Sequence, residues 1–178
     1  MNDRAYDIER LKSLIHYVIS AAGARANFGA TKLYKVLWFA EARSFVLNGA
    51  SITGAPYVRQ KYGPIPKDGM IARVQLVAEQ AIQQRQGANG EWIFQALAKP
   101  SPNFMTGAEK SQVDYWIRHI DEDHTAASIS EESHDYGWEI AEIGERLPFY
   151  SVLAQRARSP NESEMDWAKS RAKELGLP

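Results

Sequence analysis

From Lys32 to Lys67 the chain reads KLYKVLWFAEARSFVLNGASITGAPYVRQKYGPIPK. Leu33, Val36, Leu37 and Ala40 recur at three- and four-residue spacing, the period of a helix face. Thr31 can cap that helix. Trp38, Phe39 and Phe45 widen the apolar face beyond a narrow stripe, so a helix over 31–47 is predicted to be central and buried on more than one side. Asn48-Gly49 ends it through a left-handed residue. Residues 51–56 read as a loop, and Tyr57 to Tyr62 alternates as a short strand. Gly63-Pro64-Ile65-Pro66 is expected to stop that strand, because neither proline can donate to a ladder and each pushes the residue before it out of helical space.

On the N-terminal side, Ile8, Leu11, Ile15, Val18, Ile19 and Ala22 mark a helix over about 6–22, with Asp3 as the expected N-cap and Gly23 as the stop. On the C-terminal side a third helix is predicted from Lys67 or Asp68 to Gln84, with Ile71, Val74, Val77, Ala78 and Ile82 inward. Asn89-Gly90 is a hairpin signal, but Gln83 to Gln86 makes a poor strand, so a strand over 91–98 is expected to pair with Tyr57–Tyr62. Thr106-Gly107-Ala108-Glu109 is a capping box opening a helix to about Asp121, with Val113, Trp116, Ile117 and Ile120 inward. A fifth helix is predicted to open at Ser130–Ser133 and run through Ile143, followed by an extended or turn-like stretch over 148–152. A very polar helix over about 162–175 closes the chain. The fold class is therefore mostly α (α+β): a single compact helical domain of about five to six helices with a small two- or three-stranded antiparallel sheet. It spans residues 1–158, and 159–178 form a polar helical extension.

A chain of 178 residues with 44% hydrophobic content is long enough to bury one sizeable core. No apolar run approaches the ~18 residues of a membrane span. The opening MNDRAYDIERLKSLI is polar and charged, unlike a secretory signal. There are no cysteines, which excludes disulfides, thiolate metal sites and a cysteine nucleophile. A cytoplasmic protein that does not engage a membrane is expected. The formal net charge of −1 conceals an uneven distribution. Residues 31–67 hold six basic residues and one acid (Glu41), whereas 101–145 hold eleven acids and two bases. Such asymmetry can steer a charged partner, or the two segments can face each other.

Chemistry-bearing constellations are sparse. Ser133, His134 and Asp135 are adjacent in sequence, and adjacent residues do not face one another on a helix; no nucleophile elbow occurs. Asp121, Asp123, His124, His134 and Asp135 supply ligand types for a metal, and His16 and His119 lie elsewhere on helices, but no His-x-x-x-His or His-Glu-x-x-His spacing exists. No phosphate-binding glycine loop is present. A catalytic role, a cofactor and a metal are therefore not expected. The basic helix with Tyr34, Trp38 and Tyr62 could contact phosphates and stack bases, although a pI of 6.4 is low for a dedicated nucleic-acid binder. Tyr62-Gly63-Pro64-Ile65-Pro66 is a stiff turn that can present Tyr62 and Ile65 at low entropic cost. Trp138 lies one helical turn past His134, so the two rings can meet.

Together these motifs resemble the SocA-like antitoxin domain, also called the Panacea domain. The resemblance rests on Lys32-Leu33 through Leu37-Trp38-Phe39-Ala40, on Gly49-Ala50-Ser51-Ile52-Thr53-Gly54 with Tyr57, on Tyr62 to Pro66, and on Ser133-His134 with Trp138. It covers about residues 8–152. Trp38 stands where the family's Leu-Tyr-Phe-Ala version has a tyrosine, and the tail after Arg158 lies outside the domain. The resemblance implies a mostly helical domain with a small antiparallel sheet that neutralises a protein toxin by binding it, commonly from a two-gene operon of a bacterium or phage. The expected partner is a toxin encoded by an adjacent gene, with a homodimer left open. Candidate contacts are Lys32, Lys35, Arg59, Lys61, Tyr62, Ile65 and His134, with the acidic segment as a second surface. A nucleic-acid-binding regulator of its own operon is the alternative, and a hydrolase using His134 and an acid is a third reading.

Overall fold

The structure, a computed structural model, describes residues 4–25, 27–88, 90–101, 103–153 and 162–174. Among them the order is α1 (Ile8–Ala22), α2 (Ala30–Asn48), β1 (Tyr57–Gln60), β2 (Gly63–Pro66), α3 (Gly69–Ala78), β3 (Ile82–Gln86), β4 (Trp92–Ala96), α4 (Gly107–Asp123), α5 (Ala126–Glu132), α6 (Tyr136–Ile140), β5 (Arg146–Leu147), a 3-10 turn (Phe149–Leu153) and α7 (Glu162–Glu174). The class is the expected mostly helical α+β fold. Its strands form a three-stranded antiparallel sheet in the order β2-β1-β5 and a separate hairpin β3-β4.

Helix α2 is the hub. Leu33, Val36, Leu37 and Ala40 are fully buried and Trp38 is nearly so, because α2 packs on α1, α4, α5 and β2. Phe39 stacks on Trp116 of α4 at 4.7 Å between ring centroids. Trp38 packs on Tyr57 of β1 at 5.2 Å and on Phe149 at 5.4 Å. The breadth of the apolar face read from the sequence thus reflects contacts on two sides. The basic and acidic segments do face each other, since α2 lies against α4 and α5.

Helix ends explain most of the departures. The cap of α1 is Asp7, whose carboxylate accepts from Glu9 N at 2.9 Å; Asp3 lies outside the described residues. Thr31 does not cap α2, which starts at Gly29 without a side-chain cap. At α4 the capping box forms as expected, with both Thr106 and Glu109 engaged. Helix α3 ends at Ala78 rather than Gln84. Gln80 takes φ +57, its N–H reaches Val77 O, and Ala81 N–H reaches Leu76 O. This is the hydrogen-bond pattern of a left-handed helix stop, made here without the usual glycine. The chain then turns into β3, which pairs with β4 from Ile82↔Ala96 to Gln86↔Trp92. The hairpin signal before Glu91 was therefore local, and the expected pairing of 91–98 with Tyr57–Tyr62 is not made.

The inward face of α3 is also corrected. Met70, Ile71, Val74 and Val77 are exposed, and Ala72, Arg73 and Leu76 turn inward. Arg73 decides this orientation, for its guanidinium lies 5.2–5.6 Å from the rings of Tyr34, Trp92 and Phe94. Three aromatic faces can hold a desolvated cation by cation–π attraction. The single helix expected over 130–143 is two, α5 and α6, broken at Ser133–Asp135 and restarted by the Asp135 cap, which accepts from Trp138 N at 2.8 Å. Residues 149–152 belong to a 3-10 turn. The polar last helix appears as α7, carrying an exposed Trp167. The expected domain limit at 158/159 falls outside the described residues.

Candidate functional site: the β1–β2 hairpin tip

Gly63-Pro64-Ile65-Pro66 does not stop the sheet; it is strand β2. Tyr57 pairs with Pro66 and Arg59 with Pro64, while Val58 pairs with Ile65. Lys67 N–H donates to Pro56 O at 2.8 Å. That bond sets the antiparallel phase, so the hydrogen-bonding positions fall on Ile65 and Lys67, and the prolines occupy the alternate positions whose nitrogens need no partner in the ladder. β2 is also an edge strand, where proline is tolerated.

The tip between the strands is held from behind by side chains of three other elements. Trp138 Nε1–H on α6 donates to Gln60 O at 3.0 Å. Ser130 Oγ–H on α5 donates to Tyr62 O at 2.8 Å. Lys35 Nζ on α2 donates to Pro64 O at 3.2 Å. Three alternate carbonyls of one turn thus receive three donors from residues 29 to 78 positions away, each such bond contributing about 1 kcal/mol net. Gly63 permits the closeness. Its φ is +99, and a Cβ there would collide with Ser133 Oγ and Lys35 Nζ. Ser133 Oγ in turn donates to Ser130 O at 2.6 Å.

Around this cradle the expected contact residues fall into two groups. Lys32 and Lys35 are 3% and 1% exposed, which corrects their placement on a partner-facing surface. Lys32 Nζ donates to Asp121 O at 3.3 Å, and Lys35 serves the tip. Burial pushes the Lys35 ammonium down to about 7, since a charge removed from water loses its solvation. The remaining candidates gather at the tip. Tyr62 is 61% exposed, with Lys61 Nζ 5.3 Å from its ring centroid. Ile65 is half-buried on β2. Arg59 donates to Ala141 O and lies 4.2 Å from the Trp138 ring centroid. His134 stacks on Trp138 at 3.5 Å and 7°. Burial first, then the nearby Lys35 charge, holds the His134 imidazole below its ordinary range.

Ser133, His134 and Asp135 carry three separate tasks: a hydrogen bond to the α5 backbone, a ring stack and a helix cap. The metal-type residues separate too. Asp121 pairs with Arg25, Asp123 holds His119, and Asp135 caps α6. The histidines that meet are His119 and His124, with Glu132 beside them. Tyr34 and Trp38 lie in the core at 9% and 2% exposure, so they offer no platform for stacked bases.

Two residues beyond the expected set shape the site. Ser130 was legible only as part of a helix start. Glu41, the one acid in residues 31–67, is fully buried and accepts from Ile52 N at 2.5 Å, Thr53 N at 3.1 Å and Thr53 Oγ1. It fastens the loop leading into β1, where Gly54 has φ +72 and a Cβ would strike the Arg4 and Ala5 carbonyls. Burial drives the Glu41 carboxyl up to about 7, against the lowering effect of those hydrogen bonds.

The family model described as "Antitoxin SocA-like, Panacea domain" matches residues 33–139. That is more than half of the chain, and the chain belongs to this family. The match begins on α2 and ends just past Trp138, so it encloses the hairpin and every residue of its cradle. No curated protein and no solved structure matches the chain. Among the described residues no helix is long and apolar enough to cross a membrane.

Proposed function

We propose that this chain is a protein-binding antitoxin that neutralises, by direct contact, a toxin encoded by an adjacent gene. The β1–β2 tip is the contact, with Tyr62 and Lys61 at its centre and Arg59, Ile65 and His134 around them. The observation that carries this reading is a tyrosine 61% exposed on a turn whose carbonyls are tied from behind. A rigid, solvent-facing aromatic loses little entropy when a partner covers it, and tyrosine is enriched among the residues that dominate interfaces. Residues 1–158 form the binding unit and 159–178 an extension outside it.

Family membership supports the antitoxin role, and co-expression tests the contact. Cells carrying the adjacent toxin gene should grow when the wild-type chain is supplied and fail to grow when Tyr62→Ala is supplied at equal level with an unchanged melting temperature. Full rescue by Tyr62→Ala would remove the tip from the interface.

A further inference from the structure

α4 and α5 meet at a two-residue corner, His124-Thr125, which turns two imidazoles toward each other. His119 lies on the last turns of α4, His124 is the C-cap of that helix, and Glu132 is the final residue of α5. His119 Nε2 and His124 Nε2 are 3.4 Å apart, and His124 Nε2 is 3.5 Å from Glu132 Oε2. One ligand atom from each of the three residues lies within 4.8 Å of the other two.

The far side of each ring has a partner. His119 Nδ1 is 2.8 Å from Asp123 Oδ2, and a carboxylate only accepts, so Nδ1 carries the hydrogen. His124 Nδ1 is 3.2 Å from Ser128 Oγ. That hydroxyl is itself held in the Thr125 cap, accepting from Thr125 N–H at 3.0 Å. Each ring thus has a partner at Nδ1, and the two Nε2 atoms converge with a carboxylate oxygen. With both Nε2 atoms unprotonated, the three ligand atoms can close on one divalent cation.

The spacing fits such an ion. Zinc–ligand bonds of roughly 2.0–2.1 Å in tetrahedral geometry put neighbouring ligand atoms roughly 3.3–3.4 Å apart. Glu132, with its side chain 45% exposed, is free to swing into the third position. A carboxylate behind an imidazole, as Asp123 stands behind His119, is a usual outer partner that orients a metal-binding histidine. Two imidazoles and one carboxylate suit zinc and its neighbours, whereas magnesium and calcium take oxygen sets.

We infer that His119, His124 and Glu132 bind a zinc-class divalent ion, with one coordination position left for water or for a side chain of a partner. The ion would join the end of α4 to α5, the helix whose Ser130 holds the Tyr62 carbonyl. The inference stands on this corner alone and is independent of the toxin-binding reading.

The test is a zinc titration of the chelator-stripped full chain, in competition with a chromophoric chelator. One equivalent should bind with a Kd below about 100 μM, and His119→Ala and His124→Ala should each weaken binding by at least about tenfold. Glu132→Gln should weaken it several-fold, Glu122→Gln on the outside of α4 should leave it unchanged, and millimolar magnesium should not compete. A weaker Kd, or binding that both histidine variants retain within threefold while circular dichroism shows them folded, overturns the inference.

Discussion

At the β1–β2 tip three backbone carbonyls meet donors from Lys35, Ser130 and Trp138; at the α4–α5 corner two imidazole nitrogens and a carboxylate oxygen face one another. Both clusters are polar and both lie along α5, but the first joins residues far apart in the chain and the second residues within two successive helices. In the first, donors and acceptors are matched, so the cluster spends its bonds on fixing backbone and the surface it offers is the outward side chain, Tyr62. In the second, side chains of metal-ligating type converge on one point, so the cluster itself is the surface on offer. A network that spends its bonds on backbone reads as scaffold, and converging ligand-type side chains as a place for a ligand.

The scaffold half of this contrast breaks most severely at Gly63. Gly63→Ala forces a Cβ into Ser133 and Lys35 on a residue at φ +99, and the expected loss is about 3 kcal/mol, read as a drop in the urea midpoint at unchanged m. A loss under about 0.5 kcal/mol, the scale of an ordinary surface substitution, would mean that the cradle is slack.

A second way to sharpen the contrast is pH. The Glu41 carboxyl is raised to about 7 in the fold, so the folded state holds its proton more tightly; that contribution to stability is fully present below the ordinary carboxylate range and is lost as pH rises to about 7. Lys35 is lowered to about 7, so the unfolded state holds the proton more tightly and stability is regained as pH climbs from about 7 toward the ordinary lysine range. Between them the two groups make a dip near neutrality. Urea midpoints of wild type minus variant at pH 5, 7 and 9 should show Glu41→Gln removing the acid-side slope and Lys35→Met the alkaline-side slope. Parallel profiles for wild type and both variants would contradict the burial of these charges.

The mildest change is Trp138→Phe, which keeps an aromatic ring against His134 and removes the donor to Gln60 O. About 1 kcal/mol of stability should be lost, with amide exchange at Lys61 and Tyr62 faster than in wild type while exchange in α1 is unaltered. Unchanged exchange at the tip would separate that bond from its rigidity.

How much of this was legible varies with the range of the interactions. The central helix, the capping box at Thr106 and the family motifs were readable because they depend on neighbours within a turn or two. The end of α3 was hidden because Gln80, not a glycine, takes the left-handed position. The outward turn of Ile71 and Val74 was hidden because Arg73 is drawn to aromatic rings on α2 and β4. The prolines of β2 looked like a stop because the antiparallel phase that spares their nitrogens is set by the Lys67–Pro56 bond. Of the proposed contacts, Tyr62 stood out as an aromatic in a stiff turn, but nothing local marked Lys35 as buried. His119 and His124 are five residues apart, a spacing that one continuous helix would not use; the corner after Asp123 brings them together.

The proposal that the cradle works by presenting Tyr62 is tested most directly by affinity for the proposed toxin partner in a double-mutant cycle of Tyr62→Ala and Ser130→Ala. Tyr62→Ala should weaken binding by at least about tenfold, Ser130→Ala by a few-fold through a loosened tip, and the double variant no further than Tyr62→Ala alone. Wild-type affinity in Tyr62→Ala, or strictly additive losses in the double variant, would contradict it.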